Sequence, residues 1–142
     1  MQRFQSNRRL VRYGLLGAAS LSSLLIAGQA QAQCVSTPAQ PLNAVTADET
    51  VIDCTGTVAS SNIYVVANGT VTTIAPGTAV SGTPISITGD NSAVTIGTGA
   101  TVANSPLSVT GASNTVTIDG FLDNVVMSLT GPGSTLTLGS NS

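Results

Sequence analysis

The chain has no lysine, no histidine and no tryptophan. Without histidine or lysine, its many serines and threonines have no side-chain base to take a proton. Hydroxyl-nucleophile hydrolysis of the triad kind is therefore excluded, and the hydroxyls are read as decoration of sheets and turns. Cysteine is limited to Cys34 and Cys54. Two sulfurs with no histidine make half a zinc site, and neither thiol has a neighbouring base to activate it. Acids are few, at Asp48, Glu49, Asp53, Asp90, Asp119 and Asp123. Asp119 and Asp123 flank the Gly120 turn and Asp48-Glu49 is a turn pair, but sugar cleavage needs two facing acids beside a groove. All four are read as solvated turn acids. The nonapeptide repeat of calcium β-rolls is missing, and Asp90, Asp119 and Asp123 are too dispersed for an oxygen cage. No catalytic residue, metal site or cofactor is expected.

Positive charge is missing from all but the first twelve residues, where Arg3, Arg8, Arg9 and Arg12 lie. They precede an apolar run, Leu15 to Gly28 (LLGAASLSSLLIAG), and the small-x-small triplet Ala30-Gln31-Ala32. That order is a secretory signal peptide over residues 1–32, cleaved between Ala32 and Gln33. The apolar run is shorter than the roughly 20 residues a membrane-spanning helix needs. Arg8-Arg9 sits in surroundings that fit a twin-arginine signal poorly, and Gln33 before Cys34 does not fit a lipoprotein signal. Cleavage removes every base and leaves a charge of about −6 from the six acids. Such a segment has nothing to neutralise nucleic-acid phosphates or to attract it to an anionic bilayer. In an oxidising compartment, Cys34 and Cys54 are expected to form one structural disulfide.

Beyond a polar lead-in (residues 33–41), expected to help cap the first coil through Cys34 and Cys54, the chain is Thr, Ser, Gly, Ala, Val and Asn almost without interruption. The apolar residues fall into columns. Units begin at Leu42, Ile63, Ile85, Leu107 and Met127, spanning 42–62, 63–84, 85–106, 107–126 and 127–142. Three are near copies: ISITGDNSAVTIG, LSVTGASNTVTID and MSLTGPGSTLTLG. Each opens with an alternating strand (Ile85-Ser86-Ile87, Leu107-Ser108-Val109, Met127-Ser128-Leu129), followed by a Gly/Asn/Pro turn and a second strand (Val94-Thr95-Ile96, Val116-Thr117-Ile118, Leu136-Thr137-Leu138). A third strand carries Val80 and Val102, replaced by Phe121-Leu122 in the fourth unit.

Strands this short cannot bury enough alone to offset the entropy of ordering them. Stacking resolves that. Parallel pairing of successive units builds columns such as Ile85, Leu107 and Met127, and a solenoid with three strands per coil. The expected fold is all-β, a parallel β-helix of about four to five coils of 20–22 residues, the last incomplete. Asn68-Gly69-Thr70 matches a glycosylation sequon but reads first as a turn.

The signal peptide, the units ISITG…VTIG, LSVTG…VTID and MSLTG…LTLG, and the stretch TVIDCTGTV (Thr50 to Val58) together resemble the passenger region of bacterial autotransporters. The resemblance implies a right-handed β-helix and passage through the periplasm to the outer membrane, cell surface or medium. It also implies a ligand on a host or neighbouring cell. Members of that family carry a C-terminal barrel of at least eight strands. Nothing after the fifth unit supplies one, so the chain is expected to be a fragment of a longer passenger or a truncated gene product, its C-terminal end frayed or aggregation-prone.

The function expected is that of a non-catalytic stalk or adhesin-like segment. Two alternatives stand beside it. One is the spine of a passenger whose enzymatic domain lies beyond residue 142. The other is a solenoid binding glycans or ice; for ice, the array Thr115-x-Thr117 over Thr135-x-Thr137 is interrupted at Ala93.

Overall fold

The computed structural model describes residues 33–140. The expected signal peptide, with Ala32 of its expected cleavage site, lies outside them. The chain forms β1 (Gln33–Thr37), a 3-10 turn (Leu42–Ala44), β2 (Val51–Thr55), β3 (Thr57–Ala59), β4 (Ile63–Val66), β5 (Val71–Ile74), β6 (Ala79–Ser81) and β7 (Ile85–Thr88). It continues with β8 (Ala93–Ile96), β9 (Thr101–Ala103), β10 (Leu107–Thr110), β11 (Thr115–Ile118), β12 (Phe121–Asp123), β13 (Met127–Thr130) and β14 (Thr135–Leu138).

These strands stack into three sheets, ordered β1-β2-β5-β8-β11-β14, β4-β7-β10-β13 and β3-β6-β9-β12. Apart from β1, every strand pairs in parallel with the matching strand of an adjacent coil. The result is a β-solenoid of about four turns.

Register follows the repeat. Ile63, Ile85, Leu107 and Met127 lie level, as do Val94, Val116 and Leu136, and Ile96, Ile118 and Leu138. Alternation sends every second residue inward, and the buried Ile, Val and Leu side chains of all three sheets form one continuous core. One member of a column is polar. Thr72 stands level with Ile52 and Val94, and its Oγ1 is buried without a hydrogen-bond partner, a defect that costs on the order of 1–3 kcal/mol.

The first corner of each coil is built for close stacking. Gly89, Gly111 and Gly131 lie on successive coils, and a Cβ at each would collide with the carbonyl oxygen of Ala67, Gly89 and Gly111 respectively. Two residues on, Glu49, Gly69, Asn91, Ser113 and Gly133 all take positive φ, between 56° and 70°, so each coil turns the same way.

The structure differs from the sequence expectation at the start. Val45 bridges Val65, and in place of an opening strand the first unit has the 3-10 turn, in which Leu42 packs against the core and Asn43 is exposed. The first five residues of the lead-in form β1, antiparallel to β2, with Cys34 directly opposite Cys54. The two cysteines are joined by a disulfide. Cys54 is level with Ile74, whose column continues through Ile96 and Ile118, so the bridge closes the lower end of a core column.

Candidate functional site

Rigid strands carry the outer surface, so its side chains stand in rows whose spacing is that of the coils, about 4.8 Å. On the sheet containing β5, β8, β11 and β14, one outward row is threonine throughout: Thr73, Thr95, Thr117 and Thr137. The neighbouring row is Val71, Ala93, Thr115 and Thr135. A two-column hydroxyl grid therefore exists only over the last two coils, where Thr135 Oγ1 donates to Thr115 Oγ1 at 3.4 Å. The interruption expected at Ala93 is present, and Val71 extends it.

Two hydrogen-bonded ladders run along the first corner. The outer one is made by side-chain oxygens accepting from the backbone of the next coil. Asp48 Oδ1 accepts from the Asn68 amide at 2.7 Å, Asn68 Oδ1 from Asp90 at 2.9 Å, and Asp90 Oδ1 from Ala112 at 2.7 Å. It ends where Ala112 offers no acceptor and Pro132 above it has no N–H to satisfy. These contacts give Asp48 and Asp90 structural work.

Asn68, in the sequon, is likewise a ladder member, and Thr70 of that sequon is buried. The inner ladder uses that residue. Thr70 Oγ1 donates to Ser92 Oγ at 3.0 Å, the Ser92 amide to Asn114 Oδ1 at 2.8 Å, and the Asn114 amide to Ser134 Oγ at 3.2 Å. At the bottom, Gln40 of the lead-in donates from Nε2 to Thr50 Oγ1 at 3.0 Å. Its Oε1 accepts from the amides of Thr46 and Ala47 at 2.9 and 3.1 Å.

Among the described residues, no three of His, Cys, Asp and Glu stand close enough to hold a metal ion. Asp119 follows β11 and Asp123 ends β12, the latter exposed. No helix among the described residues is long and apolar enough to cross a membrane.

A concavity lies on the outside of the sheet formed by β4 and β7, beside the 3-10 turn. It is a groove of about 350 Å³ lined by Asn43, Asn62, Ile63, Tyr64, Pro84 and Ser86. Tyr64 projects from β4 with 47% of its surface exposed, and Asn43 and Asn62 are exposed beside it. The lining carries no charged residue. In the sequence Tyr64 stands out only as one of two aromatics after residue 32. The groove is not legible there because Asn43 and Ser86 are 43 positions apart and meet only when three coils stack.

The second distinctive region is the upper end of the solenoid. There β12, β13 and β14 each leave one edge without a following strand among the described residues. Leu136 and Leu138, inward by register, are 40% and 61% exposed, and Met127 and Leu129 are half-buried.

Compared with known proteins, the chain matches no family model, no curated protein and no solved structure. Its architecture and its sites therefore rest on its own residues.

Proposed function

We propose that this chain is a non-catalytic rod exported to the bacterial surface, a passenger-like β-helix segment serving as a stalk or adhesive element. The observation that carries the reading is one unbroken parallel stack from β2 to β14, closed at its lower end by a disulfide-tied antiparallel strand. A single core built from successive coils suits a stiff, extended spacer. The disulfide suits an oxidising compartment outside the cytoplasm. The outer faces offer rows of Ser and Thr with no nucleophile–base pair, which suits presentation of a surface better than chemistry. The ligand of such a rod lies on a host or neighbouring cell, and in a full-length passenger an outer-membrane barrel would carry it there.

Export is tested by expressing the tagged chain in a bacterium with two membranes, then fractionating the cells. The expected product begins at Gln33, is oxidised at Cys34 and Cys54, and lies outside the cytoplasm. Uncleaved protein with both thiols reduced in the cytoplasm overturns the proposal.

A further inference from the structure

In a repeat protein, neighbouring coils reveal what a position requires for folding, since each coil meets the same surroundings. Along the row containing Tyr64, the next three coils carry Ser86, Ser108 and Ser128. One residue before each strand, Asn62 is followed by Pro84, Pro106 and Val126. At both positions the solenoid closes with a different residue on other coils, and both departures line the same groove, beside Asn43 of the 3-10 turn. Residues that break the local rule of a fold without serving its packing mark functional sites.

We propose that this groove binds an uncharged sugar, with Tyr64 as the stacking platform and Asn43, Asn62 and Ser86 as the hydrogen-bonding rim. The volume is at the low end of small-ligand pockets, which run from about 300 to 1,000 Å³, and suits a mono- or disaccharide. A pyranose has an apolar C–H face and an equatorial belt of hydroxyls. The exposed Tyr64 ring offers a flat apolar surface with a polar tip. Each carboxamide offers both a donor and an acceptor, and Ser86 adds a hydroxyl that does either.

None of these four side chains makes a hydrogen bond within the protein among the described residues, so all of that capacity faces the groove or solvent. Their mounting is firm. Tyr64 and Ser86 sit on paired strands, and the Tyr64 carbonyl accepts from the Val45 amide at 3.0 Å. The absence of charge sets the ligand class. No base in the exported segment can pair with a carboxylate, and six acids repel one. Sialylated and uronic sugars are therefore disfavoured.

The proposal supplies a ligand class for the surface-rod reading and rests on that reading only for its biological setting. Binding is measured on the isolated chain, so binding and export can each fail alone. The chain is titrated with lactose, maltose and N,N′-diacetylchitobiose, with sialyllactose as the charged control, and followed by NMR. At least one neutral disaccharide is expected to shift the signals of Asn43, Asn62 and Tyr64, with a dissociation constant in the range of about 0.1–10 mM, as weak single-site binding gives.

Tyr64→Ser installs the residue the next coils carry. It should weaken binding by at least about tenfold while the melting temperature holds. Tyr64→Phe should keep most of the binding. If Tyr64→Ser melts early, Asn62→Ala takes its place as the loss-of-binding variant. No binding by any of the three neutral sugars overturns the proposal. So does equal binding by Tyr64→Ser, shifts confined to another face, or sialyllactose bound as tightly as lactose.

Discussion

At the lower end of the solenoid, β1 lies antiparallel across the edge of β2, and the Cys34–Cys54 bridge and the Gln40 side chain complete the cover. At the upper end, no described strand follows β14. The two ends belong to the same sheet and the same core columns, and the difference appears in burial. Cys54, Ile74, Ile96 and Ile118 are fully buried, whereas Leu138 in the same column is 61% exposed. An inward position in a solenoid is thus a promise that the next coil must keep. The residue sets the direction of the side chain, and the neighbouring rung sets how much water it loses. The lower end also shows how little is needed. One five-residue strand running the opposite way, a disulfide and a side-chain amide close the column that starts at Cys54 and bond Thr50 at the foot of the same corner.

Three experiments sharpen that contrast. The largest effect is expected from truncating one column at two heights. Ile96→Ala, in the middle of the stack, should cost roughly 2–5 kcal/mol because a cavity remains between rigid coils. Leu138→Ala should cost less than about 1 kcal/mol because most of its side chain already meets water. Urea titrations of the two variants give both values; equal losses would mean the upper end is covered in solution.

Next comes the lower cap. Replacing both cysteines by serine opens a loop spanning a sequence separation of 20 residues, and the expected loss is about 3 kcal/mol. The same denaturant series measures it, with a limited digest reporting whether β1 is released first. A loss under about 1 kcal/mol would mean that the pairing of β1 with β2 closes this end without the covalent tie.

The smallest effect on stability, and a clear one on association, is expected from Leu138→Lys. The segment from Asn124 to Ser140 bears no charge, so its open strand edges lack the usual protection against pairing with another chain. A lysine there should reduce concentration-dependent self-association in sedimentation velocity while changing stability by less than about 1 kcal/mol.

Much of the architecture was legible because it repeats. The near copies beginning at Ile85, Leu107 and Met127 specify one another's register, since a slip by one residue would turn every apolar side chain outward. The alternation within TVTI and the Gly/Asn corners then place strands and turns. The disulfide was legible for a different reason, the presence of two cysteines in a segment expected to be exported.

What escaped reading does not repeat. QCVST occurs once, so nothing in its composition marks it as an antiparallel partner of β2. Leu42 reads as the apolar start of a strand, but it lies in a 3-10 turn and packs against the core from there. Thr70, Ser92, Asn114 and Ser134 carry no apolar signal, and only stacking shows that they bond from coil to coil.

By itself, then, the sequence determined the period, the inward and outward faces, the corners and the cysteine pair, because each is a local property repeated every 20 to 22 residues. Tertiary structure alone decided which end is covered, where Gln40 reaches, that Thr72 is left without a partner, and that Asn43, Asn62, Tyr64 and Ser86 share one groove. Those outcomes depend on which coil lies next to which. The groove residues do not repeat, so no periodicity announces them. They meet only because parallel stacking brings positions some twenty residues apart to within about 4.8 Å of one another.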